Sequence, residues 1–140
     1  MMKRIFVALC AIAVALAFNS CEVDDDSPNF HFVSLPIESV DMPESFDLDE
    51  TYQINLTYTI PDGCTYFEGF DVTKSDVTTR EVVAIGSQRT DQDACTPTVR
   101  EAEGSFDFIV IHTEPYLFRF YQGDDENGDP IFLEIEVPVN

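Results

Sequence analysis

The sequence predicts an all-β protein, an antiparallel β-sandwich of seven to eight short strands that follows a disordered N-terminal segment. Two observations support this prediction. From residue 30 onward, apolar and polar residues alternate with a period of two, as in strands that bury one face. Turn residues interrupt the pattern along the 140-residue chain, and no segment has the sustained apolar stripe of an amphipathic helix. An up-and-down barrel is the alternative fold.

The predicted strands differ in how clearly the sequence marks them. The clearest is 52–60, in which every second residue is apolar. The segment 37–42 is predicted as an edge piece because Pro36 and Pro43 flank it, and proline cannot donate to an interior ladder. The run 106–111 is more evenly apolar, which predicts a central strand. The remaining predicted strands are 30–35, 66–73, 81–86, 116–121 and 131–137.

Turn residues and bulky apolar residues complete the fold prediction. Ten of the twelve phenylalanines follow residue 21, and burying one such ring contributes about 1.5–3 kcal/mol. Phe106, Phe108 and Val110 are expected on a core face. Turns are expected at Pro61-Asp62-Gly63, Gly86-Ser87, Gly104 and Asn127-Gly128.

Residues 1–20 are predicted to be a signal peptide. Lys3 and Arg4 form a positive n-region, and residues 5–18 are an uninterrupted apolar run. That run is too short to cross a hydrocarbon core of about 30 Å as a helix, but it suits a signal-peptide h-region. A single-span membrane anchor is the alternative.

The residues around Cys21 resemble the lipobox of bacterial lipoproteins. Residues 17–21 read Ala-Phe-Asn-Ser-Cys, and they are similar to the loose lipoboxes of the Bacteroidetes. The resemblance implies cleavage before Cys21 and lipidation of this cysteine, and more than one acyl chain gives stable membrane anchoring. An ordinary secreted protein that retains Cys21 is the alternative.

Residues 21–29 comprise the lipidated Cys21 and an acidic tether that follows it. Its acidic residues cannot pack into a core, so the segment is expected to be solvated and disordered. In Bacteroidetes lipoproteins a similar acidic cluster is the signal for export to the outer face of the outer membrane. This resemblance implies display on the cell surface. A periplasm-facing protein, with the tether as a spacer, is the alternative.

The end of the chain resembles the closing hairpin of small immunoglobulin-like Bacteroidetes lipoproteins. The resemblance rests on residues 118–123, an acidic turn and residues 131–137. It implies an immunoglobulin-like β-sandwich over residues 30–140. The chain has no tryptophan, and Cys64 and Cys95 are not on the strands that carry the core disulfide of antibody domains. The likeness is therefore one of shape, and it does not define a function.

The charge of the chain excludes two classes of partner. There are 27 acidic residues against 7 lysines and arginines, a net charge of -20. A nucleic acid would be repelled rather than held by counterion release. Adsorption to anionic lipid through a basic patch is excluded for the same reason. The expected contact with a membrane is the lipid on Cys21, and the expected partner is a protein or a glycan.

Two cysteines remain in the predicted domain, because Cys10 lies in the signal peptide and Cys21 carries lipid. Cys64 and Cys95 are expected to form a disulfide in an exported protein, closing a loop of about 31 residues. A metal site would need more thiol or imidazole ligands. A nucleophilic cysteine would need a histidine partner, and the sequence identifies none.

The sequence predicts that the protein is not an enzyme. His31 and His112 are the only histidines, and both are interpreted as ordinary residues at strand borders. Motifs for metalloproteases, serine hydrolases, phosphate-binding loops and redox dithiols are missing from the sequence. A glycosidase with paired carboxylates would need a substrate cleft, for which a sandwich of this size has little room.

The acidic turn 123–130 has two interpretations. The simpler one is a hairpin loop in which Asn127-Gly128 supplies the tight turn. The alternative is a calcium site, because clustered oxygen ligands suit that ion. No other cofactor is expected. The candidate ligands are Asp124, Asp125, Asn127 and Asp129.

We therefore predict a non-catalytic, lipid-anchored protein of the cell envelope, an interaction or structural module displayed on the outer membrane. The alternative is a glycan- or calcium-dependent binding accessory of a surface uptake system. Phe67, Tyr121 and Phe132 would support glycan binding if they lie on an outer face, since sugar rings stack on aromatic side chains. A small inhibitor or immunity-type protein is a third option.

Overall fold

The computed structural model describes residues 29–140, which form eight β-strands and no α-helix. The predicted signal peptide, Cys21 and the tether up to residue 28 lie outside the described residues. Within the described part, no helix is long and apolar enough to cross a membrane. The strands are β1 (Phe30–Leu35), β2 (Ile37–Asp41), β3 (Thr51–Ile60), β4 (Thr65–Lys74), β5 (Thr79–Arg89), β6 (Arg100–Ile109), β7 (Tyr116–Asp124) and β8 (Pro130–Val137).

The strands form two sheets that pack face to face, so the predicted all-β sandwich is confirmed. In the five-stranded sheet, β4 pairs with one side of β5, while β1 and β7 share its other side. The last strand, β8, pairs with β7. The three-stranded sheet has the order β2-β3-β6. Alternating residues of both sheets point inward, which is the arrangement that a period of two predicts.

Pro36 marks the point at which the chain changes sheets. Before it, β1 pairs with β5, and after it, β2 pairs with β3. Proline has no N–H to donate, so it is suited to the break between two ladders. Its carbonyl oxygen accepts a hydrogen bond from the Thr59 N–H at 2.9 Å. The prediction that 37–42 is an edge piece is confirmed, because β2 is the outer strand of its sheet.

One strand pair in the described chain is parallel. β5 and β7 run in the same direction from Thr79, opposite Leu117, to Val82, opposite Phe120. Every other strand pair is antiparallel. An immunoglobulin sandwich is built from two antiparallel sheets, so this pair is not part of that pattern. The sandwich architecture is therefore established, while its immunoglobulin-like type stays a prediction.

The core is an aromatic cluster closed by a residue from a loop. Phe46 lies between β2 and β3 in sequence, is fully buried, and contacts Phe108, Tyr116 and Phe118 at ring-centroid distances of 5.6, 6.1 and 6.1 Å. Its N–H donates to the Pro138 carbonyl at 2.8 Å. The predicted core face of 106–111 is confirmed, since Phe108 and Val110 are buried and Phe106 packs against the core.

The prediction that 106–111 is a central strand is wrong. This segment includes the end of β6, which pairs with β3 alone among the described strands and forms an edge of the three-stranded sheet. Its evenly apolar sequence arises because Ile109 and Ile111 point outward, with 58% and 60% of their surface exposed. An apolar run can therefore come from an exposed face as well as from burial on both faces.

Two predicted turns are also wrong, because Gly86 and Gly104 lie inside strands. A Cβ atom at Gly86 would lie 3.1 Å from the Leu35 Cδ1 atom and 3.1 Å from the Tyr66 carbonyl oxygen. A Cβ atom at Gly104 would lie 2.9 Å from the Phe70 Cε2 atom. Both positions need glycine because neighbouring groups approach the backbone closely.

Candidate functional site

The predicted disulfide between Cys64 and Cys95 is confirmed. The two Cα atoms are 5.4 Å apart, and the bond spans 31 positions of sequence. Beside it, the Gly63 N–H donates to the Thr96 carbonyl oxygen at 3.0 Å. The disulfide and this hydrogen bond attach the exposed loop 90–99, which links β5 to β6, to the turn before β4.

Asp62 organises the same turn. Its carboxylate accepts hydrogen bonds from the Thr65 hydroxyl at 2.8 Å, the Cys64 N–H at 2.9 Å and the Gln88 side-chain amide at 2.9 Å. The Thr65 hydroxyl is the main reason that the pKa of Asp62 is lowered, because it stabilises the ionised carboxylate. The charged form of Asp62 is therefore part of the folded turn.

Three exposed aromatic residues lie near this turn, on the outer face of the five-stranded sheet. We call Phe30, Phe32 and Tyr66 the aromatic patch; their side chains are 48%, 66% and 46% exposed. Phe32 and Tyr66 are both in register with Ser87, from opposite sides of β5. Phe30 and Phe32 contact each other edge to face at a centroid distance of 5.5 Å.

The Glu68 carboxylate lies beside the aromatic patch. The Ser87 hydroxyl points to the outer face and is hydrogen-bonded to the Glu68 carboxylate. A register shift between Phe67 and Gly69 provides the bulge at which Glu68 stands. Because Ser87 lies in register between Phe32 and Tyr66, this hydrogen bond brings the Glu68 carboxylate close to the space between the two rings.

Arg89 and Asp91 border the aromatic patch. Arg89 is in register with Phe30, and its guanidinium forms two hydrogen bonds to the Asp91 carboxylate, at 2.9 and 2.7 Å. The pKa of Arg89 is raised, chiefly by this hydrogen bonding. The positive charge of Arg89 is thus matched within the protein.

Tyr121 and Phe132, two predicted ligand-binding residues, lie on the same outer face near its other edge. They are in register across β7 and β8, half-buried, with ring centroids 6.3 Å apart. The Arg119 guanidinium carbon lies 4.2 Å from the Phe132 centroid, and Arg119 also pairs with Glu134 at 3.1 Å. Burial raises the pKa of Tyr121, whose hydroxyl bonds to an Asp124 carboxylate oxygen at 3.1 Å.

The outward placement considered for Phe67 is corrected by the structure. Phe67 points toward the core, stacked on Tyr58 at 4.4 Å and against Phe70 at 5.0 Å. The residue of this strand that presents its ring to solvent is the neighbouring Tyr66. The register shift between Phe67 and Gly69 lets Phe67 and Phe70, three positions apart, both face the core.

The Asp125 carboxylate stabilises the acidic turn through hydrogen bonds to backbone N–H groups. One Asp125 carboxylate oxygen accepts the N–H groups of Asn127 at 2.8 Å and Asp129 at 3.0 Å. These backbone donors lower the pKa of Asp125. Gly128 has a φ of 85°, as the hairpin interpretation expects. Among residues 29–140, no three potential metal ligands converge, and the calcium site stays a hypothesis for Asp124, Asp125, Asn127 and Asp129.

The two histidines lie on different elements of the sandwich. His31 is exposed on β1, opposite Gln88. His112 lies in the β6–β7 connection, 6.2 Å from the Tyr116 ring, and its buried Nε2 atom has no hydrogen-bond partner among the described residues. The Tyr116 hydroxyl accepts the N–H groups of Ile111 at 3.2 Å and His112 at 3.1 Å. This contact fixes the corner between two strands.

A groove lies on the outer face of the three-stranded sheet. Its volume is about 420 Å³, and hydroxyl, amide and carboxylate groups dominate its lining. No aromatic residue lines it. It therefore offers hydrogen bonds but no ring on which a ligand could stack. The polar side chains that line it are Ser39, Asp41, Asn55, Thr57 and Glu103.

Comparisons with models of protein families, with curated proteins and with solved structures found no match to this chain. The resemblance to Bacteroidetes lipoproteins therefore stays a prediction from the sequence. The aromatic patch is the most distinctive element of the candidate site.

Proposed function

We propose that this protein is a non-catalytic interaction module of the cell envelope, and that it binds its partner through the aromatic patch. The observation that supports this proposal is the exposure of Phe30, Phe32 and Tyr66 on one face of one sheet. Adjacent exposed apolar side chains on a soluble domain favour an interaction site. Aromatic residues are also enriched at protein interfaces.

The rigidity of the aromatic patch supports the same proposal. Its three residues stand on strands that flank β5. The backbone of a paired strand loses little further freedom on binding, which reduces the entropic cost of association. The outer face of this sheet presents aromatic rings, the Ser87 hydroxyl and the Glu68 carboxylate. These groups can bind a partner without any catalytic group.

Photo-crosslinking in intact cells tests this proposal. A photo-reactive phenylalanine analogue is placed at position 32, and at position 109 in a matched control, because Phe32 and Ile109 are similarly exposed on opposite outer faces. We expect a discrete crosslinked species from position 32 and none from position 109. Equal crosslinking from both positions, or none from position 32, would contradict the proposal.

The second part of the proposal concerns location: lipid on Cys21 anchors the protein to the outer membrane, and the acidic tether directs it to the cell surface. Protease treatment of intact and permeabilised cells tests this display. We expect digestion in intact cells, and loss of membrane association in Cys21→Ala. Protection until permeabilisation would place the protein in the periplasm, and a membrane-bound acylated Cys21→Ala product would refute the lipid anchor.

Glycan binding is a second candidate, since one observation favours it. The Glu68 carboxylate and the Ser87 hydroxyl lie between Phe32 and Tyr66, so hydrogen-bonding groups and ring faces are combined on one surface. Sugars present both apolar ring faces and hydroxyl groups. Binding on a glycan array that is lost in Tyr66→Ala would support this candidate, and an array without any signal would remove it.

A further inference from the structure

We propose that the aromatic patch recognises a positively charged segment of a partner protein, with arginine or lysine side chains that stack on its rings. This inference rests on the proposed function, because it identifies the chemistry of the partner that the interaction module binds. Three features of the described residues support it: the charge of the surface, the groups within the patch, and a cation–π contact on the same face.

The surface charge favours a cationic partner. Of the 27 acidic residues in the chain, the four in 22–28 precede the described part, so 23 remain there against five basic residues. Arg80 is buried, and Arg89 and Arg119 are paired with carboxylates. A surface of this charge attracts basic segments and accelerates their association. It repels nucleic acids, anionic glycans and acidic peptides.

The aromatic patch combines the two groups that bind organic cations. Ring faces attract a cation through their quadrupole, and a nearby carboxylate adds a charged hydrogen-bond acceptor. Glu68 supplies that carboxylate, held by the Ser87 hydroxyl between Phe32 and Tyr66. A guanidinium stacked on either ring could donate to Glu68 without moving the strands.

The same sheet face already contains this arrangement with its cation in place. Arg119 lies over Phe132 at 4.2 Å and bonds to Glu134 at 3.1 Å and Glu81 at 3.3 Å. At the aromatic patch, rings and a carboxylate are present, but no arginine or lysine of residues 29–140 stacks on Phe30, Phe32 or Tyr66. Arg89 borders the aromatic patch, but its guanidinium is hydrogen-bonded to Asp91, so a partner would supply the cation that stacks on the rings.

Peptide titration of the full-length protein in detergent tests the inference. The probe is a short fluorescent oligoarginine, with oligoglutamate as the charge-inverted probe, measured by fluorescence anisotropy at low and high salt. We expect Phe32→Ala with Tyr66→Ala to raise the Kd for oligoarginine about tenfold, from the loss of two cation–π contacts. The matched control, Ile109→Ala with Ile111→Ala, should change the Kd less than about twofold.

A second pair of variants separates local recognition from diffuse attraction. Glu68→Gln and Glu103→Gln remove the same charge from opposite outer faces of the sandwich. We expect Glu68→Gln to weaken oligoarginine binding about threefold and Glu103→Gln to have little effect. Equal weakening by both variants would show that only net charge matters, and would overturn the inference. Circular dichroism of each variant verifies that it is folded.

The outcomes distinguish failure of this inference from failure of the proposed function. For this comparison the photo-reactive analogue is placed at position 30, in the wild-type background and in the double variant. If the double variant loses the crosslink from position 30 in cells but binds oligoarginine as well as the control does, the partner is not cationic and the interaction face stands. The protein could instead bind a neutral oligosaccharide independently of salt and lose that binding in Tyr66→Ala. This result would likewise contradict the proposal that the partner is cationic. If the double variant changes neither crosslinking nor peptide binding, both proposals fail.

Discussion

Phe32 and Tyr66 stand on opposite sides of Ser87, each in register with it across β5. Two strand spacings separate them, about 9.5 Å. The serine between them is small, and its hydroxyl is hydrogen-bonded to the Glu68 carboxylate. Neither ring is packed into the core, and both add exposed apolar area that folding alone does not require.

The disulfide is predicted to contribute much of the stability of the domain. Replacing both Cys64 and Cys95 with serine should lower the free energy of unfolding by roughly 3.7 kcal/mol, because the bond restricts a loop of about 31 residues in the unfolded chain. Urea titration with and without a reductant measures this. The double variant should be insensitive to the reductant, and a wild-type midpoint that the reductant leaves unchanged would contradict the prediction.

Tyr116 is predicted to stabilise the β6–β7 corner through its hydroxyl. Tyr116→Phe removes the acceptor of the Ile111 and His112 N–H groups and should lower the free energy of unfolding by about 1–3 kcal/mol. Tyr66→Phe is the matched control, because that hydroxyl is on an exposed side chain. Equal losses in the two variants would show that the corner contact is not important.

Glycine at position 104 is predicted to be required for the close packing of Phe70 against β6. A Cβ atom there would lie 2.9 Å from the Phe70 Cε2 atom, so Gly104→Ala should lower the free energy of unfolding by about 1–3 kcal/mol. Ser105→Ala, on the outward face of the same strand, should change it by less than about 0.5 kcal/mol. Thermal melts of the two variants compare them, and a Gly104→Ala variant as stable as wild type would refute the close contact.

Asp62 is predicted to give the domain a pH-dependent contribution to stability. Its pKa is lower in the folded protein, so the contribution is present above the unfolded value of about 3.9 and is lost as pH falls through the folded value. The difference in unfolding free energy between wild type and Asp62→Asn should therefore shrink in acid. Asp93→Asn, on the exposed loop, is the control, and a difference independent of pH would contradict the prediction.

The fold class could be predicted from the sequence because the alternation of apolar and polar residues is a local signal. In β3, Ile54, Leu56 and Tyr58 are buried as their spacing predicts. The order of strands depends on contacts between distant residues, which no local pattern specifies. The parallel pair of β5 and β7 and the edge position of β6 were therefore not predicted.

The candidate site was only partly predictable. Phe30 and Phe32 have the spacing of two residues on one face of a strand, but the sequence does not say which face is outward. Tyr66 and Phe67 are neighbours on one strand, and the sequence does not define which of the two rings faces solvent. The placement of Glu68 depends on a bulge, and Gly69 inside the predicted strand 66–73 is the sequence signal that could have indicated it.

The most direct measurement of the central claim is hydroxyl-radical footprinting of the aromatic patch. Oxidation of Phe32 and Tyr66 is compared between purified protein and intact cells, with Ile109 and Ile111 as the exposed reference on the other face. If the aromatic patch is the binding face, Phe32 and Tyr66 are protected in cells and the two isoleucines are not. Equal reactivity of all four residues in both preparations would contradict the claim.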